Sequence, residues 1–397
     1  MEESDWAAIR AQYLNAPDET YLNTGSWGVM PRPVFDSYTT RLRQLELNPT
    51  RGRGPLRVGV REAREAFGRF VNVAPEDLAF LPNVTAAINV VINGLDWEDG
   101  DEILTTDQEY GAILNCLHNA SVRSKVTVVK ARIPVPPDGP SVILDAIESE
   151  FTPRTRLVVC SHITTRTGII APIKEISKMA HERGVLVAFD GAHAPGMIPL
   201  DIGDSGADFY GGNCHKWLCS PKGVGFLYAD PKVQEMLHHL IVSWGYDQDG
   251  AKSGTDRPEI NGQPFMQGIE TWGTTDLAAQ SSVGDAVRFQ EKIGIEAIAE
   301  RGRELSGYLR ARIDELDWAG IVSPSTPGMY GSLTTCLFEG LGGRGLGNIL
   351  FERDRITIPV FEEGQDCHIR VSTHLYNTQD EVDHLIRALV RERQETG

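Results

Sequence analysis

The stretch Gly212-Asn213-Cys214-His215-Lys216-Trp217 follows the run Ala207-Asp208-Phe209-Tyr210, and upstream of both stands Val187-Ala188-Phe189-Asp190-Gly191-Ala192-His193-Ala194. A carboxylate therefore ends one apolar, strand-like segment and a lysine follows the next. Pyridoxal phosphate chemistry uses that pair. The amine condenses with the cofactor aldehyde, and the carboxylate partners the pyridinium nitrogen. Lys216 and Asp190 are the first candidates for catalysis and cofactor binding.

Outward from this pair, short runs rich in Val, Ile and Leu recur at 102–106, 125–129, 156–160 and 185–189. Segments with apolar spacing near 3.6 separate them, at 143–151 and 173–183. Pro172 suits the first turn of the second helix and Gly184 its end. Continuous apolar strands with helical crossovers predict an α/β fold, a mostly parallel sheet covered by helices on both faces. Near Gly284 the pattern changes. Amphipathic, charged helices are expected at 282–292, 295–316 and 379–393, with strands at 333–338 and 369–372. The expected division is an N-terminal segment 1–20 packing with the small domain, a large domain 21–283 and a smaller α+β domain 284–397. The polar, Gly- and Asp-rich stretch 247–264 reads as a long surface excursion.

Ligands of open α/β sheets gather where strands end, and polar residues stand at those points here. Asn83, Val84 and Thr85 open a helix after an apolar strand, where free N–H groups and the helix dipole favour an anion. A plain helix cap is the other reading of Asn83, and a phosphate cradle is preferred because Lys216 and Asp190 accompany it. Burial of Asp190 is costly without a partner. His193 either supports Asp190, touches the cofactor ring or is a buried histidine satisfied by backbone. His215 and Asn213 can donate to a phosphate, while Trp217 reads as core. Tyr110 can stack on a ring or simply be buried. Thr165 or Arg166 can reach the cofactor oxygen or the substrate. Arg370, flanked by apolar residues, needs an anion, which is either a substrate carboxylate matched to its fork or a structural ion pair.

The whole-chain numbers exclude other classes. Over 397 residues the formal net charge is −17 and apolar residues make up 41%. That argues against nonspecific nucleic-acid binding and anionic membrane surfaces. No apolar run is long enough to span a bilayer. The acidic start Met-Glu-Glu-Ser-Asp lacks an apolar leader, so a cytoplasmic protein is expected. Six cysteines form no Cys-x-x-Cys pair. They read as reduced thiols, and no metal site is expected.

Taken together, Asp190-Gly-Ala-His193, Gly212-Asn-Cys-His-Lys216-Trp, Asn83-Val-Thr85 and Arg370-Val-Ser-Thr-His374-Leu-Tyr-Asn377-Thr resemble class V aminotransferases of pyridoxal phosphate fold type I. Tyr21-Leu-Asn23-Thr-Gly25-Ser, Val242-Ser-Trp244-Gly-Tyr246 and Pro221-Lys-Gly223-Val-Gly225-Phe-Leu are similar to the isopenicillin N epimerase-like branch. The resemblance implies a seven-stranded sheet and a homodimer with a shared active site. Thr274, in Gly273-Thr274-Thr275-Asp276, would supply a phosphate contact to the neighbouring subunit. It assigns ring stacking to Tyr110, the phenolate contact to Thr165 and the substrate carboxylate to Arg370. Arg166, Asn23 and Gln108 complete the expected substrate contacts.

Departures from that branch bear on the reaction. Gln108 stands where an imidazole is common, Arg166 where proline is, and Thr275 where arginine is. Cys367 lies only three residues before Arg370, which argues against a desulfurase cysteine on a mobile loop. The expectation is an amino-acid enzyme of specialised metabolism. Its expected substrate is an S-substituted cysteine conjugate, cleaved at the C–S bond or oxidatively deaminated with loss of CO2. Enzymes of lincosamide antibiotic assembly look like remodelled members of this branch. An amino-acid epimerase, an aminotransferase and a catalytically idle cofactor-binding protein are the alternatives.

Overall fold

The computed structural model describes residues 1–243 and 265–395. The surface excursion expected at 247–264, with Trp244 and Tyr246, lies outside the described residues. Seven strands form the main sheet, in the order Leu78–Leu81, Gly225–Ala229, Phe209–Asn213, Leu186–Gly191, Thr155–Ser161, Glu102–Thr106, Thr127–Ala131. Only Gly225–Ala229 runs against its neighbours. The central strands are buried along nearly their whole length, which is why they read as unbroken apolar runs rather than alternating ones. Two apolar clusters lie on opposite faces, one under helix Val84–Gly94 and the other under helices Pro49–Phe70 and Ile173–His181.

The second sheet is antiparallel, in the order Val360–Glu363, Asp366–Ser372, Leu333–Phe338, Ala319–Ile321. Helices Ile295–Ile313 and Gln379–Gln394 pack on it over their own apolar cluster. Helix Leu277–Ile293 runs without a break through position 284, where the small domain was expected to begin. It packs along Pro49–Phe70, and eleven of its residues are buried. The N-terminal helix Glu3–Arg10 is tied by Arg301, which is 2% exposed and pairs with Glu3 and Glu304. Thr20–Tyr21 then pairs in parallel with Ile356–Thr357.

Local chemistry moves two element boundaries. The strand expected at 125–129 begins at Thr127, because Lys125 takes a left-handed conformation (φ 56°) that ends helix Gly111–Ser124. The helix expected at 143–151 is Pro140–Glu148, with Pro140 pre-set for its first turn.

Candidate active site

The carboxyl ends of the parallel strands open into a cavity of about 400 Å³ lined by Lys216, Asp190, Thr85, Tyr110 and Arg370 among others. Lys216 sits on the turn between Phe209–Asn213 and Gly225–Ala229, and three contacts brace that turn from behind. Gln290 Nε2 donates to the Trp217 carbonyl at 2.7 Å, His374 Nε2 donates to the same oxygen at 3.0 Å, and Gly28 N donates to His215 O at 2.9 Å. A Cβ on Gly28 would stand 1.8 Å from the Lys216 carbonyl oxygen. Gly28→Ala is therefore expected to push the lysine turn out of place and destabilise the fold by about 1–3 kcal/mol, read as a fall in Tm.

The Lys216 amine is buried, and burial lowers its pKa to about 8. Attraction to Asp190 only partly offsets that, and repulsion by Arg370 adds to it. Its amine lies 3.3 Å from His193 Nε2. Trp217 Nε1 donates to His193 Nδ1 at 3.1 Å, so the neutral imidazole carries its proton on Nε2 and meets a lysine that accepts. Burial and the nearby cations also hold His193 well below its ordinary pKa. Both partners of this contact thus favour the uncharged amine. The structure gives His193 a contact outside the three expected roles, with the lysine, and its two ring partners are side chains rather than backbone.

Near the end of its strand, the Asp190 carboxylate accepts one hydrogen bond among the described residues, from Ala192 N at 2.9 Å. Burial raises its pKa against that bond and against Lys216. The remaining acceptor capacity faces the cavity, where a protonated ring nitrogen would fill it. At the start of helix Val84–Gly94, Asn83 caps Ala86 N, and Asn213 Oδ1 takes Val84 N at 2.9 Å. The Thr85 amide and hydroxyl have no partner among the described residues, which leaves them for an anion at the helix dipole. His215 Nδ1 lies 3.4 Å from Val224 O, and the ring packs beside Trp27. With Nδ1–H given to that carbonyl, Nε2 donates to an anion only when the ring is protonated.

Arg370 is 5% exposed. Its guanidinium donates to Thr165 O and Oγ1 at 3.1 Å, to Asn23 Oδ1 at 3.2 Å and to Ser26 Oγ at 2.8 Å, and its Nε has no partner. Every one of these acceptors is neutral. Among the described residues no carboxylate pairs with it, so the structural ion pair is absent and a charge waits for an anionic ligand.

Lys216, Asp190, His193, Asn83, Val84, Thr85, Tyr110, Thr165, Asn213, His215 and Arg370 all line this cavity. Three residues expected to contact substrate do not line the lysine cavity. Arg166 and Gln108 line an adjoining cavity instead. Arg166 is turned there by an ion pair with Glu363 at 2.8 Å and by the face of Phe361, and Gln108 by a hydrogen bond to Asp107. Asn23 stands behind Arg370 as a brace rather than on the cavity wall. Thr274 is exposed and does not line this chain's cavity, and the role expected of it concerns a second copy of the chain. Among the described residues no cluster of His, Cys, Asp and Glu could hold a metal.

Sequence reasoning missed Ser26, Trp27 and Glu109. Glu109 is buried and accepts from Thr106 Oγ1 and Ser161 Oγ, each at 2.6 Å. Burial raises its pKa from 4.5 to about 7. Between those values the folded chain holds a proton that the unfolded chain has lost, so stability falls as pH rises through that window. Glu109→Gln removes this contribution. Its Tm relative to that of the wild type is expected to rise between pH 4.5 and 7.

The sequence pattern of the Aminotransferase class-V family matches residues 21–385. The chain belongs to that family. The class-V chain is 37% identical to the isopenicillin N epimerase of Amycolatopsis lactamdurans, covering 98% of this chain and 99% of that one. It is 34% identical to the isopenicillin N epimerase of Streptomyces clavuligerus, over 98% of each. The solved structure of the cystine C-S lyase C-DES with its reaction product cysteine persulfide matches at a TM-score of 0.84 and 26% identity, covering 94% of this chain and 97% of that one. The mostly parallel, helix-flanked sheet is the fold type I architecture that the sequence motifs implied.

Proposed function

We propose that this class-V chain is a pyridoxal 5′-phosphate enzyme that removes and returns the Cα proton of an amino-acid substrate, as an epimerase does. The observation that carries the reading is the presence in one cavity of a buried lysine amine, whose pKa is lowered to about 8, and a buried arginine that has no acidic partner among the described residues. When bound, the cofactor supplies an aldehyde for the amine and an electron sink for charge developing at Cα. Lys216 would hold it, Asp190 would face its ring nitrogen, and the helix start with Thr85 and Asn213 would take its phosphate, with His215 a donor there only in its protonated form. Tyr110 and His193 would flank the ring and Thr165 its phenolate oxygen. Arg370 would fix the substrate carboxylate, which orients Cα toward the Lys216 amine. A homodimer, with Thr274 reaching the neighbouring copy's phosphate, belongs to the same proposal.

Relatives named as epimerases at 34–37% identity support this reading better than the C–S cleavage anticipated from Gln108, Arg166 and Thr275. Cleavage is the second reading, favoured by the fold shared with the cystine C-S lyase. Both begin with the same proton removal and differ in whether a Cβ substituent then leaves. Sulfur transfer to an enzyme cysteine lacks support, because all six cysteines are buried and none lines the cavity.

The test is incubation of the holoenzyme in deuterated water with simple L-amino acids and S-alkyl-L-cysteines. Deuterium at Cα with formation of the D-isomer and no keto acid is the expected result. Pyruvate with free thiol would select the second reading. No exchange and no product from any amino acid would refute both.

A further inference from the structure

A second cavity, of about 360 Å³, adjoins the lysine site, and the same three elements wall both. The turn after Glu102–Thr106 gives Tyr110 to one and Gln108 to the other. The turn after Thr155–Ser161 gives Thr165 to one and Thr167 to the other. Strand Asp366–Ser372 gives Arg370 to one and His368 to the other. Residues two apart on a strand project from the same face, so these two side chains leave the sheet roughly 7 Å apart. Thr335 and Phe361, their partners on the flanking strands, also serve the second cavity. It therefore continues, along one sheet face, from the place where a carboxylate would meet Arg370.

The ionisable groups on its wall already have partners. Arg166 pairs with Glu363, which also lies 3.6 Å from His368 Nδ1. Asp107 Oδ1 accepts from Gln108 Nε2 at 3.0 Å and from Ile133 N at 3.1 Å. Glu109 is held by its two hydroxyl partners. Arg370 stands apart in having no acid among the described residues. A second carboxylate entering here would face Glu363 and Asp107 against Arg166, so the wall offers it no net attraction. Thr335 Oγ1 donates to Arg166 O and Thr167 Oγ1 to Gln108 Oε1, so what the wall offers instead is the second N–H of the Gln108 amide, hydroxyl lone pairs and an imidazole above the apolar Val135, Val322 and Phe361. That is the wall of a site for a neutral, hydrogen-bonding group. Resting on the function proposed above, we infer that this cavity receives the far end of the substrate side chain, and that this end is bulky, uncharged and rich in hydroxyls or amides.

The test uses the holoenzyme and stopped-flow titration, with affinity read from the change in visible absorbance. The probes are S-methyl-L-cysteine, S-(2-carbamoylethyl)-L-cysteine, S-(2-carboxyethyl)-L-cysteine and S-glucosyl-L-cysteine. The amide or the glucosyl arm is expected to bind roughly tenfold or more tightly than S-methyl, as one or two added hydrogen bonds would give. Which of the two binds better identifies the neutral group. The carboxylate arm is expected to gain nothing. Val322→Trp, which fills the cavity, is expected to bring the affinity ratio of long to short arms toward one, and that ratio is insensitive to a general loss of folding. Equal binding of all arms, a preference for the carboxylate, or an unchanged ratio in the variant overturns the inference while leaving the proposed function standing. No absorbance response to any probe overturns both.

Discussion

Lys216→Ala is expected to lower turnover by about 10²–10⁴-fold through loss of the general base alone, and further through loss of the covalent anchor. The reason lies in the balance of forces on the amine. Burial removes water from the ammonium, and His193 presents a ring that is itself held neutral, so the unprotonated form is accessible near neutral pH. With a pKa of about 8, roughly a tenth of the free amine is neutral at pH 7. The wild-type rate at saturating substrate, where the substrate amine has displaced the lysine, is therefore expected to rise with pH through that value, and the variant should lose this limb. Two controls separate chemistry from folding. The variant should keep the wild-type far-ultraviolet circular dichroism, because the side chain points into a cavity rather than into the core. Small primary amines added to the medium should restore part of the activity by standing in for the missing base. After borohydride reduction, cofactor should be bound to the peptide containing Lys216 in the wild type and to no peptide in the variant. Retention of a covalent cofactor in Lys216→Ala would defeat the assignment.

The parts of this site visible in the sequence were those fixed by local chemistry. Asp190 closes an unbroken apolar run and Lys216 follows the next strand-like segment, and such segments in an alternating chain end at one edge of the sheet, which fixes both positions from the sequence. Asn83 announced a helix start because a cap has a local signature. What the sequence hid is non-local. Ser26 meets Arg370 across 344 positions, and nothing near Ser26 signals it. Arg166 follows Thr165 directly, yet the turn sends the two side chains to different cavities, and a partner nearly two hundred positions away holds Arg166 there. Helix Pro49–Phe70 begins Pro-Thr-Arg-Gly-Arg-Gly-Pro, a composition that reads as a loop. Tertiary packing overrides that propensity, because the helix lies along Leu277–Ile293, where Gly59 sits against Ser281 and Gly284 against Ala63. Glu109 was passed over because a single carboxylate in a turn usually faces water, whereas here Thr106 and Ser161 close over it.

Arg370→Gln is expected to separate binding from stability in opposite directions. The guanidinium donates four hydrogen bonds to neutral oxygens and meets no acid among the described residues, and burial draws its pKa down to about 10. A buried cation in that state is a cost to the folded chain that an incoming carboxylate would relieve. Removing the charge should therefore raise the Tm of the substrate-free protein, as happens when a functional group is strained for its task. The same change should lower kcat/KM for amino acids by roughly 10²-fold, since one or two hydrogen bonds to a charged group contribute about 1.5–3 kcal/mol each. Lysine in its place should rescue little, because a point charge cannot reproduce the planar fork. The decisive comparison uses a primary amine that lacks the carboxylate. If Arg370 acts by holding that group, the amine should react poorly with the wild type and no more poorly with Arg370→Gln, and the two losses should not add. Additive losses would mean that Arg370 organises the cavity through Thr165, Asn23 and Ser26 without touching substrate, and the carboxylate clamp would have to be sought elsewhere.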